Sequence, residues 1–439
     1  MNTKALRQKI LDLAIHGKLV PQDPNDEPAS VLLERIRDEK ERLIKEGKIK
    51  RPKKAKATSD KPHYENVPFE VPSSWAWTTL GEIFTLQAGK NITAKDIYTE
   101  KSDEYKYPCF GGNGIRGYVA ISNKIGEYPI IGRQGALCGN INLAHGSFYA
   151  TEHAVVVERY CDTDLMWVYY TLIALNLNQY ATATAQPGLA VNVINDVAIP
   201  LPPLNEQQRI SKSIMILFSF LEAIECEKLY LKTAISQTKT KVLDLAIHGR
   251  LVPQDPTDEP ASELLKRINP KAEIACDNGH YQKLPEGWAI TPMQTLCALV
   301  DGEKQNGIER INLDVKYLRG EREAKVLTSG KYTAANTLLI LVDGENSGEV
   351  FRAPVDGYQG STFKQLSIHE EMYTDYVLQV INLHRKMLRE NKVGSAIPHL
   401  NKKLFKTINV PIPPYEEQKR IVNAINQTFT ILDKIAVNL

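Results

Sequence analysis

Two carboxylates and a lysine in the second half of the chain have types and spacing that could support metal-assisted hydrolysis. Asp314 is followed by Glu323 and Lys325. This is a loose form of the pattern in metal-dependent nucleases, where the carboxylates hold a divalent cation. The same spacing arises often by chance in charged helices and loops. The sequence therefore favours a surface role for these residues over nuclease chemistry.

Two other segments have features of a methyl-transfer site. The run Phe110-Gly-Gly-Asn-Gly114 has the glycine content of a cofactor loop, and Ile412-Pro-Pro-Tyr415 is similar to the Pro-Pro-aromatic loop of amino-methyltransferases. However, Ile412 stands where an Asn or Asp would accept a hydrogen bond from the target amine. No alternating strand and helix pattern follows Gly114 that could build a doubly wound sheet. A catalytic DNA methyltransferase is kept only as an alternative.

His16 and His248 occupy the same position in a repeated motif, each directly before a glycine. No nucleophile accompanies either residue in the sequence, which favours structural capping of a helix end over acid–base catalysis. The chain also lacks a phosphate-binding G-x-x-x-x-G-K-[ST] motif, so ATP-driven work is not expected of it.

An internal repeat organises the elements that position these residues. Residues 11–36 and 243–268 agree at 22 of 26 positions, and residues 198–210 pair similarly with 410–421. The stretches between these anchors resemble each other little. The chain is therefore a tandem duplication in which two matched scaffolds carry two diverged inserts.

Apolar residues in the repeated scaffold follow a heptad pattern that is typical of paired helices. It predicts one helix over about 204–247, roughly 65 Å long, with Asn205 as N-cap and Gly249 just beyond its end. The two chain termini repeat its two halves, so we expect them to lie close together and to pack antiparallel to it. The predicted helix-pair interface consists of Ile210, Ile214, Leu217, Leu221, Ile224, Leu231, Ile235, Ile421, Ile425, Leu432 and Ile435.

The inserts are rich in glycine turns and short β-like runs, and each is long enough for one small domain. The sequence predicts an α+β fold with two globular α/β domains, one per insert, separated by two long antiparallel, coiled-coil-like helical regions with an internal pseudo-twofold repeat. The predicted divisions are an N-terminal helical region and basic linker at 1–62, domain 1 at 63–200, the central long-helix region at 201–270, domain 2 at 271–412, and a C-terminal helix at 413–439 that completes the helical pair with the N-terminus.

Composition and charge narrow the class of protein. Of 439 residues, 43% are hydrophobic and 24% charged, which argues against wholesale disorder. No apolar run is long enough for a membrane span and the N-terminus has no apolar signal core, so we expect a cytoplasmic protein. The six cysteines form no CxxC pair, which disfavours a disulfide framework or zinc knuckle. The net charge of +2 conceals a basic segment, residues 35–62, with twelve Lys/Arg and five Asp/Glu.

The order of insert, repeated helix, insert and repeated helix resembles the specificity subunit of a type I restriction-modification system. The resemblance is carried by the twin LDLAIHG(K/R)LVPQDP(N/T)DEPAS motifs, the twin IP(L/I)PP(L/Y)xEQ(Q/K)RI motifs and the Pro-x-x-Trp openings at Pro72–Trp75 and Pro285–Trp288. It covers essentially the whole chain. It implies that each insert reads one half of a bipartite DNA sequence, while the long helices dock the methyltransferase subunits.

Loops of the two inserts supply the candidate DNA contacts, because binding residues commonly lie on loops held by a rigid scaffold. Arginine suits guanine, Asn and Gln suit adenine, and lysine mostly grips phosphate. In the first insert the candidates are Lys90, Asn91, Lys106, Tyr107, Asn113, Arg116, Tyr118, Arg133 and Gln134. In the second they are Lys304, Gln305, Asn306, Lys316, Arg319, Arg322, Lys331, Tyr332 and Lys364.

The resemblance also implies partners. It predicts a non-catalytic subunit that binds double-stranded DNA, two methyltransferase (modification) subunits and, in the full complex, restriction/translocase subunits, with no membrane association. No cofactor or metal is expected on this chain; S-adenosylmethionine, ATP and Mg²⁺ are expected on the partner subunits. A coiled-coil adaptor without DNA specificity is the alternative from a different class.

Overall fold

A computed structural model describes residues 2–51, 69–135, 137–182, 187–270, 284–393 and 398–439. The chain divides into two units, Met1–Glu227 and Lys228–Leu439. Each unit combines helices with mixed sheets, so the predicted α+β class is confirmed. Most of the predicted basic linker, from residue 52 to residue 62, lies outside the described residues.

The first unit contains five complete helices and ten strands among its described residues. The helices are α1 (Thr3–Ile15), α2 (Ala29–Lys45), α3 (Leu80–Ile83), α4 (Leu165–Ala174), α5 (Val191–Asn195) and the first part of α6 (Leu204–Ile247). The strands are β1 (Ala76–Thr79), β2 (Thr85–Ala88), β3 (Tyr107–Gly111), β4 (Gly114–Val119), β5 (Lys124–Ile125), β6 (Tyr128–Gly132), β7 (Ile141–Ala144), β8 (Ser147–Ala150), β9 (Ala154–Glu158) and β10 (Ala198–Leu201).

The second unit begins within α6 and continues with six helices and nine strands in its described part. The helices are α7 (Ala261–Ile268), α8 (Met293–Leu296), α9 (Val315–Leu318), α10 (Thr374–Glu390), α11 (Lys402–Thr407) and α12 (Tyr415–Val437). The strands are β11 (Ala289–Pro292), β12 (Cys297–Val300), β13 (Lys304–Leu313), β14 (Val326–Thr333), β15 (Leu338–Leu341), β16 (Val350–Arg352), β17 (Gly357–Gln359), β18 (Phe363–Ile368) and β19 (Asn409–Ile412).

The two units share most of their sheet topology although their inserts share little sequence; they differ in that β14 also pairs with β17 in the second unit, whereas β8 pairs with β5 in the first. One four-stranded sheet has the order β2-β9-β6-β7 in the first unit and β12-β18-β15-β16 in the second. A second group pairs β3 antiparallel with β4 and parallel with β8, and β13 pairs in the same way with β14 and β17. The strands that flank each insert, β1 with β10 and β11 with β19, are antiparallel pairs. The duplication therefore extends to the inserts.

Helix α6 spans 44 residues and follows the predicted bounds. In the first unit its early turns pack antiparallel to α1, since Leu11 and Ala14 share a buried core with Ile210 and Ile214. Arg7 lies over the ring of Phe218, at 4.9 Å from its centroid.

In the second unit the later turns of α6 pack antiparallel to α12. Val242 and Leu243 share a core with Ile421 and Ile425. Lys239, the repeat of Arg7, lies 5.0 Å from the ring centroid of Phe429. Each half of α6 therefore pairs with a different terminal helix, by contacts that are repeated.

Three details of the helical prediction are wrong. Leu231 and Ile435 are 40% and 45% exposed rather than part of a covered seam. A straight α-helix drifts by about 20° per heptad relative to a strict seven-residue repeat, so residues at the end of a run leave the contact face. Asn205 lies inside α6 rather than at its N-cap, and its side chain donates to Asp26 Oδ1 at 3.2 Å.

A buried lysine joins α2 to the first insert. Lys40 Nζ donates to the carbonyl oxygens of Gly81, Glu82 and Phe84 at 2.7, 3.0 and 2.7 Å. Burial lowers the pKa of Lys40 to about 8. These carbonyls lie at the end of α3, where no intrahelical donor reaches them. The second copy of this helix, α7, is shorter and ends at Ile268, before the position that corresponds to Lys40.

Among the described residues, no helix combines the length and the apolarity that crossing a membrane requires.

Truncation of Ile214 tests the pairing of α1 with α6. Ile214 is 1% exposed, so Ile214→Ala should destabilise this helix pair by about 2–5 kcal/mol through lost burial and a residual cavity. Faster hydrogen exchange of the α1 amides would report the loss. Ile216→Ala, at a 45% exposed position of the same helix, should leave that exchange nearly unchanged. Equal effects of the two variants would contradict the pairing.

Candidate nucleic-acid interface

A buried glutamate joins the scaffold of the first unit to its insert. Glu206, in the first turn of α6, is 1% exposed. Its Oε2 accepts a hydrogen bond from Trp75 Nε1 at 3.0 Å, and its Oε1 accepts from Gln22 Nε2 at 2.6 Å. Burial raises the pKa of Glu206, and the two hydrogen bonds oppose that rise. Trp75 directly precedes β1, the first strand of the insert. The hydrogen bond to Glu206 therefore fixes the position of this strand relative to α6.

The second unit repeats this junction atom for atom. Glu417, in the first turn of α12, accepts from Trp288 Nε1 at 3.0 Å and from Gln254 Nε2 at 3.1 Å. Its pKa is raised by burial in the same way. Because Trp, Gln and Glu come from three separate segments, the junction requires all three in both copies.

An ion pair next to each junction holds the Pro-Gln-Asp-Pro loop. Arg209 Nη2 lies 2.6 Å from Asp26 Oδ2, and Arg420 Nη2 lies 2.6 Å from Asp258 Oδ2. The hydrogen bond from Arg209 lowers the pKa of Asp26. Both aspartates are largely buried, so the pairs are shielded from solvent screening more than surface pairs are.

A buried glutamine in each copy connects the long helix to a helix of the insert. Gln207 donates to the Pro202 carbonyl at 3.0 Å and accepts from the Asp164 amide, at the N-cap of α4, at 3.1 Å. Gln418 donates to the Pro413 carbonyl and accepts from the Tyr373 amide, both at 3.0 Å. The Pro-Pro segments are therefore strand-to-helix joints in this fold.

The residues considered for catalysis have structural roles. Asp314 caps α9 by accepting from the Tyr317 amide at 3.1 Å. Residues Phe110–Gly114 form the turn between β3 and β4. His16 Nδ1 donates to the Asp12 carbonyl at 2.6 Å, and His248 makes the same bond to Asp244 at 2.7 Å. The described residues contain no group of three or more His, Cys, Asp or Glu side chains that could hold a metal ion.

The candidate DNA contacts of the first insert fall into groups along the β3–β4 hairpin. Asn113, Arg116, Arg133 and Gln134 lie at its turn, where β6 also ends. Lys106, Tyr107 and Tyr118 lie at the opposite end of the hairpin, where Lys106 Nζ is 5.3 Å from the Tyr107 ring centroid. Lys90 and Asn91 follow β2 and contact β8 through backbone atoms. The structure brings these residues onto one domain but not into one site.

Most candidates of the second insert lie on β13, β14 and β18, and two of the lysines among them pair with Asp301. Lys331 Nζ is 2.7 Å from Asp301 Oδ1, and Lys364 pairs with the other carboxylate oxygen. Both lysines lower the pKa of Asp301. Lys304 is directly opposite Lys331 on the neighbouring strand. The residues gathered here are Lys304, Gln305, Asn306, Lys331, Tyr332 and Lys364.

The candidates of α9 and the turn after it lie apart from this group. Arg319 pairs with Glu349, and Arg322 pairs with Asp314. Lys316 is exposed on α9. Two of these three cations are therefore engaged within the domain, and DNA would have to compete with their carboxylate partners.

A loop with the same backbone closure occurs in both inserts and contains residues that the sequence interpretation missed. Gly135 N donates to the Pro187 carbonyl at 3.0 Å, and Gly344 N donates to the Pro398 carbonyl at 2.8 Å. Gly139 N and Gly348 N each donate back to the end of the preceding strand at 2.7 Å. We name residues 132–135 with 137–140, and residues 341–349, the matched loops. The shared Gly-x-x-x-Gly spacing is the sequence signal that could have identified these loops. The residues missed are Asn140 and Asp343 in the loops, Asn142 in β7, and His399, which contacts Asp343.

Comparison with known proteins agrees with this architecture. The family model described as "Type I restriction modification DNA specificity domain" matches residues 72–237 and 285–436. Each match begins at the Pro-x-x-Trp opening and ends within the long helix that follows the insert. Together they cover more than half of the chain.

Curated relatives and a solved structure are similar to the chain at different levels. The Type I restriction enzyme EcoprrI specificity subunit of Escherichia coli is 44% identical over 167 residues, 38% of this chain and 41% of that protein. The EcoAI specificity subunit of Escherichia coli is 27% identical over 406 residues, covering 75% of this chain and 68% of that protein. The chain thus aligns with about two fifths of the first relative. A structure described as concerning complex assembly and conformational transition of the type I R-M system has a TM-score of 0.55 at 16% identity, covering 84% of this chain and 94% of that one.

The buried Glu206 predicts a pH-dependent term in the stability of the first unit. Because its folded pKa is raised above the unfolded value of about 4.5, stability should fall as the pH rises through the folded pKa. Glu206→Gln should remove this term. Hydrogen exchange of residues 204–215 between pH 4 and 8 would measure it. Glu222→Gln, at an exposed site of α6, should retain it; identical pH profiles for the wild type and E206Q would disprove the assignment.

Proposed function

The chain belongs to the type I restriction-modification DNA specificity family, and on that basis we propose that it is the DNA sequence-recognition subunit of such a complex. It reads a bipartite, asymmetric target with one recognition domain per half-site. One observation carries the proposal: two domains that share a four-stranded sheet order stand on repeated scaffold junctions, but the matched loops present different side chains. Two domains held by the same scaffold contacts but exposing different loop side chains are suited to recognising two different half-sites.

Catalysis belongs to partner subunits in this proposal. Methyltransferase subunits, two per complex, supply S-adenosylmethionine chemistry, and restriction/translocase subunits supply ATP- and Mg²⁺-dependent steps. The chain works with them in the cytoplasm as a non-catalytic subunit. The structural engagement of Asp314 and of the Pro-Pro joints supports this division, because these residues already serve the fold.

The long helices provide the docking surface for the methyltransferase subunits. In the first unit α6 exposes Met215, Ile216 and Phe220, at 49%, 45% and 59%. In the second unit Leu229 and Tyr230 are 68% and 67% exposed. Apolar side chains spaced along a helix and left open to solvent are typical of a surface that a partner helix covers.

Selection from a random duplex library tests the recognition function. The chain, purified in complex with its methyltransferase subunit, should enrich two short sequence blocks separated by an unread spacer of fixed length. Enrichment of no sequence would overturn the proposal and favour an adaptor role. Enrichment of a single uninterrupted block would contradict one domain per half-site.

Insertion of one heptad after Glu225 should lengthen the spacer. Seven helical residues add about 10 Å, which corresponds to roughly three base pairs at 3.4 Å each. The same library selection would measure the spacer. A seven-residue insertion after Gly320, in an exposed turn of the second domain, should leave the spacer unchanged. An unchanged spacer in the heptad variant, with both sequence blocks retained, would refute the role of α6 as the element that sets the spacing.

Substitution on the exposed face of α6 tests docking. Phe220→Ser should weaken binding to the methyltransferase subunit by about ten-fold or more, as expected for a buried aromatic contact of an interface. Sedimentation velocity of the mixed subunits would measure the complex. Ile125→Ser, at a 72% exposed apolar site in the recognition domain, is the matched control and should leave the affinity unchanged. Equal affinities for wild type and F220S would exclude this face.

A further inference from the structure

Four residues that carry side-chain amides lie near one another at one end of the first recognition domain. Asn113 lies in the β3–β4 turn, Gln134 and Asn140 lie in the matched loop, and Asn142 lies in β7. We name these four residues the amide cluster. Asn140 Nδ2 donates to Asn113 Oδ1 at 3.3 Å, which joins the turn to the loop.

Glycines in the β3–β4 turn permit this convergence. A Cβ atom on Gly112 would lie 2.6 Å from the Gln134 carbonyl oxygen, and one on Gly114 would lie 3.0 Å from Asn142 Oδ1. Any larger residue would push the turn away from the loop. The close approach leaves Asn113, Gln134 and Asn140 exposed, while Asn142 is partly buried behind them.

The amide cluster has unused hydrogen-bonding capacity. Asn142 Nδ2 is buried and has no partner among the described residues. Buried N–H groups are nearly always paired in folded proteins, so this donor is available to a water molecule or a ligand atom that enters the cluster. Arg116, whose side chain lies against Gly111 beside the turn, adds a cation at the edge. The ligand that fits offers donors and acceptors side by side.

The second domain has a different chemistry at the same loop positions. Within the matched loops, Asp343 corresponds to Gln134, and Glu349 corresponds to Asn140. In the strand that follows each loop, Phe351 corresponds to Asn142. Asp343 Oδ1 is 2.7 Å from His399 Nδ1, and Glu349 pairs with Arg385 at 3.0 Å. The backbone of the loop is therefore repeated while amides are replaced by carboxylates and an aromatic ring.

We propose that the amide cluster reads the major-groove edge of an adenine in one half-site, and that Asp343 at the matched position reads a different base in the other. An amide presents a donor beside an acceptor, which complements adenine N7 and N6, whereas a carboxylate only accepts and suits the amino group of cytosine. This inference rests on the proposed function. It assigns base discrimination to the amide cluster in the first domain and to Asp343 in the second, and it leaves the phosphate contacts to the lysines and to the partner subunits.

Library selection with carboxylate variants tests the inference. In complex with the methyltransferase subunit, Gln134→Glu and Asn140→Asp replace an amide by a carboxylate of the same shape and remove its N–H donors. Each should reduce the preference for adenine at one position of one sequence block by about ten-fold or more. The other block should be unchanged. Asp343→Asn should alter only that other block.

Two controls separate the outcomes. Gln208→Glu makes the same charge change at an exposed site of α6 and should leave both blocks unchanged. The salt dependence of binding should keep its slope in N140D, because amides that contact bases release no counterions. Weaker binding to all sequences with a smaller slope would assign the cluster to phosphate contacts and overturn the inference.

A wild type that selects no sequence defeats the proposed function itself. If the wild type selects two blocks and neither Q134E nor N140D alters either of them, only the amide cluster is wrong. Hydrogen exchange of β3 and β7 checks that each variant remains folded. A folded variant that loses the preference for both sequence blocks would also contradict the inference, because the amide cluster is proposed to contact only one half-site.

Discussion

The buried carboxyl at the start of each long helix is the contact on which the remaining architecture depends. Glu206 and Glu417 each bind an indole N–H and a glutamine amide that come from two other segments of the chain. Removing a carboxyl from water is costly, and the cost is offset only when its hydrogen-bonding partners are all in place. The junction therefore forms as a whole or not at all, and it sets the position from which each recognition domain begins.

Beyond this junction, different parts of each domain maintain the fold and contact a ligand. Backbone hydrogen bonds and buried apolar residues maintain the sheet order of each domain, and the same order is reached with little sequence in common. Side chains at the loop tips are not needed for that order, so amides in one domain and carboxylates in the other are equally compatible with it. The first domain has one further anchor, Lys40, which the shorter α7 does not provide.

The sequence was most informative where local rules dominate. The bounds of α6 followed from its heptad pattern, the Pro-Pro segment before it and Gly249 after it, and the residues of the duplicated junction lay within visible repeats. The common topology of the inserts was not predictable, because backbone pairing leaves little trace in side-chain types. Ion pairs such as Arg319 with Glu349 also join residues far apart in sequence. The sequence indicated Asn113 and Gln134 as candidate contacts but not Asn140 and Asn142, because the fold alone brings Asn140 to Asn113 and Asn142 to Gly114.

The closure of the matched loops has an evolutionary consequence. Both loops are held by backbone donors and acceptors, at Gly135 with Pro187 and at Gly344 with Pro398. Substitution at exposed positions between these bonds changes what the loop offers to a ligand without removing a contact that folding requires, and such surface changes usually alter stability by less than about 0.5 kcal/mol. New binding preferences can accordingly arise by single mutations that are nearly neutral for folding, one domain at a time, while the other domain keeps its own.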